Sequence, residues 1–223
     1  RLGRRDQAAH CLRRCVELAA EPGPYRALLS ALEQRLLHGG RVTLRLGEQR
    51  LILMGRLPLI MGRDQDCDLP VRGPSVSRRH ASIIRPASGA GDEILLEDMG
   101  SRNGTLLSGV RLGARVPLPP SGTIGLGDEC QISFVTRERL TLEVASGLDR
   151  GARAVLLDGP CTLDALLTGA PPHAIRFERG RPMLEVRGEG VRLNGEVTSG
   201  TVQLIREDTL ETPGVPDPLQ VES

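Results

Sequence analysis

At 223 residues the chain is long enough for one large domain or two small ones with real cores. Its 29 basic and 28 acidic residues nearly cancel, so no overall field draws it to nucleic acid or a membrane surface. Every basic residue is Arg, Trp is absent, and the aromatics are Tyr25, Phe134 and Phe177, which excludes the stacking platforms that hold single strands and leaves Leu, Val, Ile and Ala to build the cores.

Residues 4–38 carry a helical period. Ala8, Leu12, Cys15, Val16 and Ala19 recur at three- and four-residue spacing, and "EPGP" ends the run. Pro24 suits a first helical turn, after which Tyr25, Leu28, Leu29, Leu32 and Leu36 form a second stripe that "HGG" stops. The expectation is a short helical hairpin over residues 1–40. Its opening, with Gly3, Ala8, Leu12, Cys15, Val16 and a late proline, resembles the second half of a tetratricopeptide repeat, a unit that cannot bury its face alone. The chain begins at Arg1 without Met, which reads as a fragment with further helices upstream. His10, Cys11 and Cys15 lie on this helix, but no second ligand pair accompanies them, so no metal and no cofactor are expected. Five scattered cysteines argue for reduced thiols in a cytoplasmic protein. No apolar run approaches the ~18 residues of a membrane span, and no signal peptide is apparent.

From Arg41 the period changes to short strands. "RVTLRL", "RLILM", "LPLIMG", "HASIIR", "EILLED", "GTIGLG" and "CQISFV" are separated by Gly, Pro, Asp or Asn turns, the pattern of an antiparallel sandwich. The pattern restarts near Leu140 with "LTLEVA", "ARAVLL", "AIRFER", "MLEVRG", "VRLNG" and "TVQLI". The two stretches look like an internal repeat, in which His80 and Asn103 are answered by His173 and Asn194 at nearly the same separation. After Thr212 "PGVPDPLQVES" is proline-broken and is expected to be disordered.

Three polar motifs punctuate the first β stretch: "GR" at Gly62-Arg63, "SVSRRHA" with Ser77 and His80, and "GSRNGT" from Ser101 to Thr105. In this order, on a strand-rich background closing with "IGLGDECQISF", they resemble the forkhead-associated (FHA) domain over about residues 42 to 135. The resemblance implies a β-sandwich whose loops at one end bind phosphothreonine peptides. Residue chemistry agrees. A phosphothreonine carries about −1.5 to −2 charges and three acceptor oxygens. Arg63 offers a permanently charged planar fork, the glycine before it lets the backbone approach, and Ser77 offers a hydroxyl. Asn103 can hold a peptide by its main chain. Arg78, Arg79 and Arg102 add positive potential or select acidic flanks. His80 is expected to brace the Ser77 and Arg63 loops, and Gly104 completes a β-turn dipeptide.

Each residue also has a plain structural use. Arg63 can pair with Asp64, Asp66 or Asp68, and Ser77 can cap a turn. Where family members often carry a second Asn-Gly, this chain has Ser108-Gly109. The second repeat departs further: "CTLDALLTG" lacks the Gly-Arg, "APPH" replaces "SRRH", and Pro171 and Pro172 have no N–H to donate. Only Asn194-Gly195 survives, so a degenerate FHA-like unit is expected that packs or docks without phosphate. "VASGLDRGARAVLLDGP" also resembles the opening of FHA-like cytoplasmic modules in bacterial secretion-system ring proteins.

The fold class is therefore mainly β: a helical hairpin (1–40), an FHA-type antiparallel sandwich (41–137), a second degenerate FHA-like sandwich (138–212) and a disordered tail (213–223). No P-loop, triad or metal cluster indicates an enzyme. The function expected is a cytoplasmic adaptor that reads phosphothreonine on a kinase or kinase substrate in bacterial serine/threonine kinase signalling. Phosphopeptide contacts fall to Arg63, Ser77, Arg78, Arg102 and Asn103, with support from Gly62, His80 and Gly104. A further protein partner would dock on the second β region or the helices, without nucleic acid or membrane insertion. The alternative is a phospho-independent scaffold subunit in a secretion or envelope assembly.

Overall fold

A computed structural model describes residues 4–86 and 93–222. Two helices, α1 (Arg5–Leu18) and α2 (Gly23–Arg35), come first. The next strands are β1 (Arg41–Leu46), β2 (Gln49–Met54), β3 (Leu59–Gly62), β4 (Leu69–Pro70), β5 (Ala81–Ile84), β6 (Leu95–Asp98) and β7 (Thr105–Leu107). They are followed by β8 (Val110–Arg111), β9 (Val116–Pro117), β10 (Ser121–Leu126), β11 (Cys130–Val135), β12 (Thr141–Val144), β13 (Arg153–Leu156) and β14 (Cys161–Thr162). The last are β15 (Ala174–Glu178), β16 (Arg181–Val186), β17 (Arg192–Leu193), β18 (Glu196–Val197), β19 (Gly200–Gln203), β20 (Thr209–Glu211) and β21 (Leu219–Val221). The expected class holds: two helices, then mainly antiparallel sheets.

The chain divides into two units, Leu51–Asp158 and a second built from Arg1–Arg50 with Gly159–Ser223. These boundaries differ from the expected 1–40, 41–137 and 138–212. The central unit keeps β12 and β13, because β12 continues from β11 through a short turn and pairs with it, Phe134 opposite Leu142 and Ile132 opposite Val144. The other unit takes β1.

In the central unit one sheet runs β4-β3-β5-β6-β9, and the other carries β13-β12-β11-β10-β7-β8. Alternation explains the core: Cys130, Ile132 and Phe134 of β11 are buried while Gln131 and Val135 are exposed. Met61, Leu69, Ile83, Leu96, Ile124 and Leu142 are fully buried with them, each worth about 1.5–3 kcal/mol of apolar transfer. β3 is antiparallel to β5, with Met61 opposite Ala81, and β5 is antiparallel to β6, with Ala81 opposite Asp98. That register brings the residues after β3, before β5 and after β6 to one end of one sheet. Sequence-distant Arg63, Ser77 and Arg102 meet there.

The second unit has one sheet β14-β15-β16-β19 and another with β18-β17-β20-β21-β1. Its core includes Val42, Leu44, Ile175, Leu184, Val202 and Leu210. The helices attach to it through polar contacts. Arg5 forms an ion pair with fully buried Asp208 and donates to the Gln203 carbonyl at 3.1 Å, while Asp6 pairs with Arg181. The expected apolar stripes are not a buried face. Among the described residues Ala9 alone is buried in α1 and nothing in α2, and Tyr25 and Leu28 are exposed. Residues 1–3, including the Gly3 of the repeat resemblance, lie outside the described residues. Among those described, no helix is long and apolar enough to cross a membrane.

The expected disordered tail is a correction. Leu219–Val221 forms β21, pairing with β1 through Leu44–Val221 and Leu46–Leu219. Pro213, Pro216 and Pro218 break the approach, but Leu219 and Val221 then alternate inward while Gln220 faces out. Leu219→Ala is expected to destabilise the protein by about 2–4 kcal/mol in urea unfolding, as core Leu truncations do; an unstructured tail would show no change.

Candidate functional site

A cleft of about 560 Å³ opens at the loop end of the central unit, lined by Arg63, Asp64, Ser77, Arg78, Arg79, Gly100 and Arg102. All four arginines are exposed, and Asp64 is the one acid in the lining. None of the four guanidinium groups has an ion pair among the described residues, so the pairing of Arg63 with Asp64, Asp66 or Asp68 open from the sequence is not made. Asp68 instead accepts the Ile60 N–H at 2.8 Å, and Asp64 accepts the Asp66 N–H at 3.3 Å.

The main chain fixes the cleft. The Arg63 N–H donates to the Ser77 carbonyl at 3.0 Å and the Asp64 N–H to the Arg78 carbonyl at 3.1 Å. A Cβ on Gly62 would stand 2.2 Å from the Arg78 oxygen, so only glycine lets the two strands of chain approach. The Cys67 thiol donates to the same Arg78 carbonyl at 3.2 Å, a brace that leaves no signature in the sequence. Ser77 Oγ accepts the Arg102 N–H at 3.0 Å, which leaves its own proton to donate into the cleft.

His80 is fully buried. Its Nδ1 accepts the Ser77 N–H at 3.0 Å, which assigns the proton to Nε2, and Nε2 donates to the Gly104 carbonyl at 3.1 Å. It therefore braces the Ser77 turn against the Asn103-Gly104 turn, while Arg63 is tied to Ser77 by backbone alone. Burial lowers its pKa below the ordinary imidazole range, against the Gly104 bond and the Asp98 charge, which raise it. Asp98 organises the neighbouring loop. It accepts from the N–H groups of Gly100 at 2.9 Å and Ser101 at 2.8 Å, and from the hydroxyls of Ser101 and Thr105, both at 2.6 Å. Burial pushes its carboxyl upward, but these four donors outweigh that and hold it below the usual carboxylate value.

Of the expected contact residues, Arg63, Ser77, Arg78 and Arg102 converge, and Arg79, Gly100 and Asp64 join them. Asn103 does not line the cleft: its Nδ2 donates to the Ser75 carbonyl at 2.8 Å. Gly62, His80 and Gly104 stand in supporting positions, Gly104 with φ +84°.

The second unit lacks this machinery. His173 is buried, accepting the Arg187 N–H at 3.1 Å, with Thr212 Oγ1 at 3.1 Å from its other ring nitrogen. The match of Asn194 to Asn103 is corrected. The Asn194 N–H donates to the Thr209 carbonyl just as Ser108 N–H donates to that of Thr123, so Asn194-Gly195 occupies the hairpin turn that Ser108-Gly109 fills in the central unit. Counting back from that turn, Glu189 stands where Asn103 does. Asn194 is also fully used, its Nδ2 donating to Asp208 and its Oδ1 accepting the Thr209 N–H, both at 2.9 Å. No disulfide joins the five cysteines; Cys11 and Cys15 are exposed and the others buried. Burial, with Asp149 adding, pushes the Cys130 thiol up to about 11. Among the described residues no three His, Cys, Asp or Glu side chains gather to hold a metal.

Comparison with known proteins places this cleft within a recognised module. The FHA domain profile matches residues 59–127. The chain is similar to the FHA domain-containing protein FhaB of Mycolicibacterium smegmatis, 33% identical over 76 residues, covering 34% of this chain and 46% of that protein. It thus spans under half the length of that relative. Among solved structures it is similar to the FHA domain of the CT664 protein from Chlamydia trachomatis (29% identity, TM-score 0.30, 39% of this chain and 89% of that one). It is also similar to the FhaA FHA domain complexed with the intracellular domain of Rv3910 (30%, TM-score 0.28, 39% and 91%). A third was solved in an analysis of phosphothreonine-dependent FHA domain interactions (31%, TM-score 0.29, 39% and 88%).

Two outcomes follow from the geometry. Gly62→Ala drives a methyl into the Arg78 carbonyl, and is expected to lower the melting temperature and loosen the cleft, read as faster amide exchange at Arg63 and Asp64. Acidification should act through the histidines. His80 and His173 are both depressed on folding, chiefly by burial, so the stability they carry is full above an unfolded-state pKa of about 6.5 and is lost as pH falls from there through their folded values. Urea midpoints measured at pH 7.5 and 5.5 should fall in that order, and His80→Gln should flatten the difference.

Proposed function

Residues 59–127 form an FHA domain, and from that premise we propose that the arginine-lined cleft binds phosphothreonine in a partner protein, making the chain an adaptor in bacterial serine/threonine kinase signalling. The observation that carries this reading is the convergence of Arg63, Ser77, Arg78 and Arg102 on one opening. Arg63 meets the phosphate as a two-pronged donor. Ser77 donates its hydroxyl, which the Arg102 N–H has already oriented. Arg78 and Arg102 add charge from either side. Asn103 can leave the Ser75 carbonyl for the peptide backbone at little cost, since one hydrogen bond replaces another.

Magnitudes suit a reversible contact. Charge-assisted hydrogen bonds contribute roughly 1.5–3 kcal/mol each. Four or five of them, less several kcal/mol of association cost, leave about −7 to −9 kcal/mol, in the micromolar range. Four guanidinium groups and one carboxylate exceed what one phosphate neutralises, so acidic residues beside the phosphothreonine complete the balance. For the second unit, a phosphate-independent role is favoured by the internal use of His173 and Asn194 and by Glu189, whose carboxylate would repel an anion.

The test is a titration of the full chain with phosphothreonine peptides, neutral or acidic in their flanks, against phosphoserine and unphosphorylated controls. Arg63→Ala is expected to weaken binding by roughly 30-fold or more and Ser77→Ala by about 5- to 10-fold. Arg79→Ala should reduce the preference for acidic flanks. Arg176→Ala, in the second unit and paired there with Glu178, should change nothing. Affinity should fall as salt rises. Equal affinity for phosphorylated and plain peptides would remove this reading and leave the scaffold alternative.

A further inference from the structure

We propose that the two units have exchanged their opening strands, so that one sheet of each is completed by a strand belonging to the other repeat and the cleft-bearing unit is residues 51–158 rather than 41–137. The units share a strand order: β3-β5-β6-β9 matches β14-β15-β16-β19, and β4 has no counterpart among the described residues. In one, the β7–β8 hairpin lies beside β10, and β10 precedes β11. In the other, the β17–β18 hairpin lies beside β20, and β20 precedes β21. Hydrogen bonds fix the correspondence: Ser108 N–H to the Thr123 carbonyl matches Asn194 N–H to that of Thr209, and Leu112 N–H to the Thr105 carbonyl matches Thr198 N–H to that of Val191. The opening strands match too. "VTLRL" of β1 (42–46) aligns with "LTLEV" of β12 (140–144), equating Leu44 with Leu142 and Arg45 with Glu143.

By chain order β1 would flank β11, and β12 would flank β21. The pairing is reciprocal instead. β12 flanks β11, Ser133 opposite Glu143, and β1 flanks β21, Arg45 opposite Gln220. Both Leu44 and Leu142 are fully buried in their slots, so the apolar pattern fits either partner. Charge favours the observed pairing. In the slot beside β21, Arg45 pairs with Glu222 at 3.3 Å, and Arg50 joins the same carboxylate at 2.8 Å. Glu143 in that slot would face Glu222 with like charge, which cross-strand neighbours disfavour. Connection length acts in the same direction, because β11 and β12 are joined by the short segment 136–140 and pair as a local hairpin.

The inference is independent of what the cleft binds. It is tested in the full chain carrying Cys11→Ser and Cys15→Ser, using pairs of cysteines at directly opposed, outward-facing positions, where Cα separations of about 4.5–5.5 Å suit a disulfide. Arg45→Cys with Gln220→Cys, and Ser133→Cys with Glu143→Cys, are expected to cross-link within one chain on mild oxidation. Arg45→Cys with Ser133→Cys, the pair the unexchanged order would bring together, is expected to stay reduced. Non-reducing gels with peptide mapping read the result. Cross-linking of Arg45→Cys with Ser133→Cys, or of the first two pairs only between separate chains, would overturn the proposal. Cross-strand backbone proton contacts between Leu142 and Phe134 in the isotopically labelled, unsubstituted chain draw the same distinction without any substitution: their presence supports the exchange and their absence overturns it.

Discussion

The site rests on one buried imidazole. His80 holds the Ser77 turn with one ring nitrogen and the Gly104 carbonyl with the other, so two loops that are far apart in sequence are set at a fixed separation by a single rigid ring. Burial lowers its pKa and so favours the neutral ring. Only the neutral tautomer can accept at Nδ1 while donating at Nε2; an imidazolium would present two donors and push the Ser77 N–H away. The third loop is set chiefly by its backbone, with the Cys67 thiol adding one bond to the Arg78 carbonyl. Gly62 permits the Arg63 and Asp64 N–H groups to reach the Ser77 and Arg78 carbonyls, which makes the cleft floor a continuation of the β3–β5 sheet. The charged tips stand in solvent, but the backbone beneath them is held by these bonds.

This division of labour explains why the two units diverge in chemistry while sharing a layout. Both keep a buried histidine beside a strand, and both keep a tight two-residue turn with positive φ, Ser108-Gly109 in one and Asn194-Gly195 in the other. What the second unit lacks is whatever would face an anion. Prolines precede His173, Glu189 takes the place of Asn103, and the buried carboxylate of Asp208 is satisfied by Arg5, Asn194 and the Ile205 N–H. Its polar groups are committed to holding the helices and its own turn. Shared architecture therefore does not carry the cleft's chemistry from one unit to the other; the exposed arginines line the cleft of the central unit.

The sequence is informative where period and local chemistry coincide. "CQISFV" alternates strictly, and β11 buries alternate positions as expected. The three motifs come together because β3, β5 and β6 are antiparallel neighbours, although the long segments 63–80 and 85–94 separate these strands in sequence. Two-residue strands such as β4, β8 and β14 carry no period of their own and exist only because a neighbour supplies the ladder. Asn103 reads as a ligand contact by its type, yet its orientation depends on the Ser75 carbonyl, a partner 28 residues away. Asn194 is mismatched for the same reason, since an Asn-Gly pair looks alike at either turn and only the bond to Thr209 tells them apart. Leu219 and Val221 lie behind three prolines, and nothing local points to β1.

The pairing of β1 is the least local feature of all, and chain statistics account for it. Two closures must be made in either arrangement. In the exchanged order one loop is very short and the other spans most of the chain; in the unexchanged order both are of intermediate length. Because closure entropy grows only with the logarithm of length, one short and one long loop cost roughly 1–2 kcal/mol less than two intermediate ones. The apolar slots accept either strand, so this modest preference, reinforced by Arg45 on Glu222, is enough to select a topology that leaves neither repeat contiguous in sequence. The arginine-lined cleft belongs to a unit that is completed by the strand that follows it, and the second unit is completed in turn by a strand that precedes the first.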